Sequence, residues 1–133
     1  RLAKASSGAD RLLEVLREEP EEAGVGTVVT ALDGRIEYCD VYCRYDSRVD
    51  ALRGVEFAVE PGTFLVLTGT SGSGKSTTLA VLLRLVRHDS GEVLVDGVPV
   101  DRYELHSFRR CFAYVPQEIE LFSKEVLPQI QAF

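Results

Sequence analysis

The run Gly69-Thr70-Ser71-Gly72-Ser73-Gly74-Lys75-Ser76 carries the clearest chemical signal in the chain, because its residue types suit the capture of phosphate. It satisfies GxxxxGK[ST] at full spacing. Glycines at 69, 72 and 74 allow positive φ and bring the backbone close to an anion with no Cβ in the way, so successive amides can turn inward as a nest. A helix beginning at Lys75 adds unpaired amides and a partial positive charge. The Lys75 ammonium then reaches the β- and γ-phosphates as a point charge, and the Ser76 hydroxyl is placed to ligate Mg²⁺. The candidate nucleotide-binding set is therefore Gly69, Thr70, Ser71, Gly72, Ser73, Gly74, Lys75, Ser76 and Thr77. By itself the motif specifies nucleotide binding and leaves the reaction open.

Such a loop works only where it joins a buried strand to a helix. The apolar run Phe64–Thr68 predicts that strand, and Leu79, Leu82, Leu83 and Val86 at helical spacing predict a helix from Lys75 to Val86. Upstream, the β-prone runs Arg35–Tyr42 and Val55–Glu60, the second closed by Pro61-Gly62, predict an antiparallel layer. Downstream, Glu92–Asp96 and Val98–Val100 around Asp96-Gly97 read as a hairpin, followed by a short helix near Leu105–Arg110 and a strand Cys111–Val115. At the amino end, Ala9, Leu12, Leu13 and Leu16 form one stripe on an amphipathic helix spanning residues 2–18. Pro20, within the charged run 18–24, cannot continue that helix, so a connector follows and ends near Val28.

A length of 133 residues with 45% hydrophobic content fits one domain with a modest core. The net charge of −6, from 15 basic and 21 acidic residues, excludes a general nucleic-acid or anionic-membrane surface, so phosphate recognition must be local. Cys39, Cys43 and Cys111 form no CxxC pair and have no histidine cluster beside them. They predict reduced thiols in a cytosolic setting rather than a zinc site or disulfide framework. No run of about 18 apolar residues is present to span a bilayer. The first residue, Arg1, leads us to expect a piece of a longer sequence.

Four stretches around the loop resemble the ATPase domain of ABC transporters, particularly the exporter type whose transmembrane and nucleotide-binding parts share one chain. Arg35-Ile36-Glu37-Tyr38-Cys39-Asp40-Val41 followed by Arg44-Tyr45 is similar to that family's first strand and A-loop, with Tyr45 lying 24 residues before Gly69. The stretch Leu52–Gly62 resembles the second strand and turn, and Ser90–Gly97 with Leu105–Arg110 resembles the SGxIxxDG hairpin and the SLR helix. Tyr114-Val115-Pro116-Gln117 is similar to the Q-loop, with Gln117 lying 42 residues after Lys75. Leu121-Phe122-Ser123 and Ile130 continue the likeness toward the surface that receives the membrane domain, although Lys124-Glu125 and Pro128 depart from it.

The resemblance implies an α/β fold, a P-loop NTPase domain of the ABC type. It would be incomplete, holding an amino-terminal helix and linker, an antiparallel β-subdomain, the Walker A strand-loop-helix and the Q-loop strand. Residues 1–27 would be a linker helix and connector from an upstream transmembrane domain, and residues 28–133 the first part of the ATP-binding domain. Tyr45 would stack on adenine. Gln117 would act catalytically with Lys75, and with Ser76 it would contact Mg²⁺. ATP and Mg²⁺ are the implied cofactors. The implied partners are a transmembrane domain of the same transporter and a second nucleotide-binding domain, with this domain on the cytoplasmic side of the membrane and no nucleic acid involved.

The signature loop, the Walker B strand with its catalytic glutamate, and the switch histidine that finish hydrolysis in that family do not stand in this sequence. Asp96 lies only 21 residues after Lys75 and is followed by Gly97, so it reads as a hairpin-turn aspartate. His88 and His106 precede Gln117 and read as surface residues. The expected behaviour is weak ATP·Mg binding without hydrolysis by this chain alone, with apolar edges left exposed near the phosphate-loop strand. Two other readings stand beside this one. One is a small phosphate-loop kinase in which Asp96 holds an acceptor, and the other is a non-catalytic nucleotide-binding regulatory module.

Overall fold

The computed structural model describes residues 24–46 and 49–117. Strands β1 (Ile36–Asp46) and β2 (Val49–Val59) pair antiparallel. β3 (Ser90–Val95) pairs antiparallel with the other side of β1, and the short β4 (Val98–Pro99) pairs with β3, giving the order β2-β1-β3-β4. The helices are α1 (Lys75–Leu82) and α2 (Leu105–Arg109), with a 3₁₀ turn at Val100–Arg102 before α2. The antiparallel layer and the Asp96-Gly97 hairpin stand as the sequence predicts. The amino-terminal helix and the stretch around Leu121 and Ile130 lie outside the described residues.

β1 would turn its apolar residues to the wrong face if it ran without interruption, since Tyr38 is even-numbered and Val41 and Cys43 are odd. A residue inserted between them corrects the phase. Asp40 takes φ 50, and the register with both neighbouring strands slips there, so Tyr38, Val41 and Cys43 are all buried. Gly91 faces this bulge, and a Cβ at that position would collide with the Asp40 carbonyl. The core face so formed packs with Leu52, Val93 and Val95 against Val81 and Leu82 of α1 and against Val100, Tyr103 and Phe108.

Three aromatic contacts organise this core. Tyr38 stacks on Phe57 at 4.6 Å between ring centroids, and Phe108 sits between Tyr103 at 5.1 Å and Phe112 at 4.9 Å. The Tyr38 hydroxyl donates to the Thr78 carbonyl at 2.6 Å, which ties the sheet to the first turn of α1. Burial raises the pKa of that hydroxyl far above its usual range, so it remains a donor. Burial likewise raises the pKa of the Cys43 thiol, with Asp89 adding to the effect, and no disulfide joins the three cysteines.

Three expectations are corrected. The run Phe64–Thr68 pairs with no strand among the described residues, and Phe64 is fully exposed while Val66 is 77% exposed. The same holds for Cys111–Val115, where Val115 is 79% exposed. A strand needs a hydrogen-bonding neighbour, and neither run finds one among the described residues. The helix predicted to Val86 stops at Leu82, because Leu83 caps it and Arg84 takes φ 55. Its buried face is Thr77, Thr78, Val81 and Leu82, whereas Leu79 is exposed.

Candidate nucleotide-binding site

The loop between residues 69 and 74 takes the backbone form its glycines allow, with φ of 150, 79 and 89 at Gly69, Gly72 and Gly74. Gly74 is the residue at which side-chain bulk is least tolerable. It is the left-handed N-cap of α1, and a Cβ there would lie 2.5 Å from the Ala51 carbonyl of β2. Close contact with β2 thus seats the start of α1 against the sheet. Thr78 holds the same turn, its amide and hydroxyl both donating to the Gly74 carbonyl at 2.8 and 3.0 Å.

Lys75 curls over the loop. Its ammonium donates to the carbonyls of Gly69 at 2.9 Å and Thr70 at 2.8 Å and to the Ser73 hydroxyl at 3.1 Å. All three contacts lie in exposed surroundings, where a cation remains free to exchange partners. The first two loop residues therefore present carbonyls to the lysine, while residues 71–77 line an open cleft of about 510 Å³.

That cleft draws together three parts of the chain that the sequence keeps apart. Tyr45 of β1 forms one wall, residues 71–77 form the floor, and Gln117 forms another wall. Tyr45 is 61% exposed, so its ring is available to a planar ligand. Ser76 and Gln117 bring a hydroxyl and a side-chain amide to the same space. Asp50 and Ala51, at the start of β2, also line it, and sequence reasoning missed both. No motif marks them; their place follows from the pairing of Arg44 with Asp50 across β1 and β2. Arg44 also approaches the carboxylates of Asp89 at 3.6 Å and Asp50 at 3.9 Å.

Two further carboxylates have structural positions. Asp96 takes φ 52 in the hairpin turn and accepts from the amides of Asp33, Gly34 and Arg35 at 2.8 to 2.9 Å. Glu104 caps α2, accepting from the amides of Ser107 at 2.7 Å and His106 at 3.1 Å, and it also receives the Gly24 amide at 3.3 Å. The Ser107 and His106 amides are the main reason its pKa is lowered to about 2. Of the two histidines, His106 is exposed and His88 half-buried, and neither lines the cleft.

A glycine-shaped loop running into a helix beside an antiparallel sheet defines an incomplete α/β domain of the phosphate-loop NTPase class. Residues 52–129, more than half of the chain, match the ABC transporter family. The chain belongs to that family. Over 129 residues it is 37% identical to the ATP-dependent lipid A-core flippase of Saccharophagus degradans, covering 97% of this chain and 22% of the flippase. Over 128 residues it is 39% identical to the uncharacterized ABC transporter ATP-binding protein YfiB of Bacillus subtilis, covering 96% of this chain and 22% of that protein. Among solved structures, a bacterial Atm1-family ABC exporter with ATP bound superposes with a TM-score of 0.71 at 27% identity, covering 88% of this chain and 20% of the exporter. The chain spans about a fifth of the length of these relatives.

Proposed function

We propose that this chain forms the first half of the ATP site of an exporter-type ABC transporter, binding ATP·Mg weakly and not hydrolysing it alone. The observation that carries the reading is the convergence of Tyr45, residues 71–77 and Gln117 on one cleft. A nucleotide has one planar aromatic end and one polyanionic end. The cleft offers an exposed aromatic ring to the first and a helix amino terminus with a lysine to the second.

The loop amides and Lys75 would orient the β- and γ-phosphates, releasing the lysine from the carbonyls of Gly69 and Thr70. Mg²⁺ commonly takes one or two protein oxygens together with phosphate oxygens and water, and the side chains of Ser76 and Gln117 are suitable hard donors on this cleft. When bound, the ion would neutralise phosphate charge. Residues 1–27 would connect residues 28–133 to an upstream transmembrane domain, and a second nucleotide-binding domain would complete the site on the cytoplasmic side of the membrane. The names of the flippase and exporter relatives support this placement. The kinase reading is disfavoured because Asp96 is already committed to three backbone amides.

Equilibrium binding of Mg·ATP to the purified chain, with phosphate release followed in the same samples, tests the proposal. Binding that Lys75→Ala weakens strongly, with no phosphate released, is the expected result. Binding indifferent to Lys75 would refute the site, and sustained turnover would refute the claim that this chain does not hydrolyse ATP alone.

A further inference from the structure

Residues 24–29 cross the molecule as a strap lying against the lead-in to α2. Thr27 forms a parallel bridge with Tyr103, its amide donating to the Arg102 carbonyl at 2.7 Å and its carbonyl accepting from the Glu104 amide at 2.8 Å. The Val29 amide donates to the Ser107 hydroxyl at 3.2 Å, and the Gly24 amide to the Glu104 carboxylate at 3.3 Å. The approach is so close that a Cβ on Gly26 would lie 2.7 Å from the Arg102 carbonyl oxygen.

The opposite end of α2 is fastened to the phosphate-loop helix. Arg109 donates from Nε to the Leu83 carbonyl at 2.8 Å and from Nη2 to the Arg84 carbonyl at 2.9 Å, so one guanidinium holds the carbonyl end of α1. In return, Arg84 donates to the Tyr103 carbonyl at 2.8 Å and approaches Asp101 at 3.5 Å. The Glu104 side chain bonds both the strap and the first amides of α2. A continuous chain of contacts therefore runs from residue 24 through α2 to the end of α1, whose other end is the phosphate loop.

We propose that α2 transmits the position of the strap to the phosphate-loop helix, with Glu104 and Arg109 as positioning residues for the nucleotide site. The strap is where the preceding residues join the described part of the chain, so a displacement of it would reach α1 through these two side chains and, in parallel, through the Arg84–Tyr103 bond. The role at the nucleotide site rests on the reading under Proposed function, whereas the coupling itself does not.

Amide hydrogen exchange on the nucleotide-free 133-residue chain decides the coupling. Gly26→Ala should speed exchange at Thr27 and Val29, at His106 and Ser107, and onward at Leu83, Arg84 and Leu85, while the β1–β3 amides keep their protection. In an Arg109→Lys background, which loses the two-pronged donor, the effect of Gly26→Ala at Leu83 and Leu85 should shrink to what the Arg84–Tyr103 bond carries, and an undiminished effect would deny Arg109 its role. Glu104→Gln is the milder second variant should Gly26→Ala fail to fold. A disturbance confined to residues 24–29, or one reaching all strands equally, would overturn the proposal. Mg·ATP affinity supplies the functional arm. Gly26→Ala and Arg109→Lys should each weaken it by about threefold and the double variant by clearly less than the product of the two, because both act on one joint. Multiplying effects would deny the two residues their positioning role. Binding insensitive to Lys75→Ala would instead refute the nucleotide reading and leave the exchange result to decide the coupling.

Discussion

The antiparallel sheet and the phosphate-loop run are neighbours in this molecule with opposite relations to water. In the sheet, Tyr38, Val41, Cys43, Val93 and Val95 are buried on one face, under α1 and the Tyr103–Phe108 pair. In the run from Phe64 to Leu67, equally apolar residues are exposed by 37% to 100%. Composition does not separate the two. The difference is that the sheet finds hydrogen-bonding and packing partners, whereas the run pairs with no strand among the described residues. Apolar character alone therefore assigned a strand to both, and only one is paired among the described residues.

The sharpest way to break this comparison is to truncate one large side chain in each region. Phe108→Ala removes a fully buried ring and should cost about 3–5 kcal/mol, read as a lowered denaturant midpoint. Phe64→Ser removes a fully exposed one and should change stability by no more than about 0.5 kcal/mol while improving solubility. A large destabilisation by Phe64→Ser would mean that the run is packed in solution.

At the cleft, Lys75→Ala should weaken Mg·ATP by about 100-fold, the size of a charged hydrogen bond lost to phosphate. Tyr45→Ala should weaken it by about tenfold and Tyr45→Phe much less, because the ring face and not the hydroxyl does the stacking. An equal loss in both Tyr45 variants would argue for a hydroxyl contact instead.

The smallest effect concerns acid. The folded pKa of Glu104 is about 2, lowered chiefly by the Ser107 and His106 amides, against an ordinary value of 4.5. Its contribution to stability is therefore fully present above the unfolded value and is lost as pH falls from there toward 2. Glu104→Gln should flatten the pH dependence of the denaturation midpoint within that window and leave its slope near neutrality unchanged. An unaltered acid limb would remove Glu104 from the joint between strap and helix.

Much of the candidate site was legible because its residues are contiguous. Eight successive residues carry the glycines, the lysine and the hydroxyl, and the rule linking them to phosphate needs no distant partner. The hairpin at Asp96-Gly97 was legible for the same reason. Helix length was less so. Leu83 and Val86 continue the helical spacing, but Arg84 leaves the helix in a left-handed turn while its side chain bonds the Tyr103 carbonyl and its carbonyl accepts from Arg109.

What the sequence determined by itself is the phosphate loop, the antiparallel layer and the family likeness, all set by local spacing of residue types. Tertiary structure decided the rest. It put Tyr45 and Gln117 on the same cleft as the loop and shifted the phase of β1 at Asp40. It also joined Gly24 to Glu104 and Arg109 to the end of α1. Each of these depends on backbone groups far apart in the chain finding one another, and that pairing is a property of the assembled fold rather than of any short run of residues.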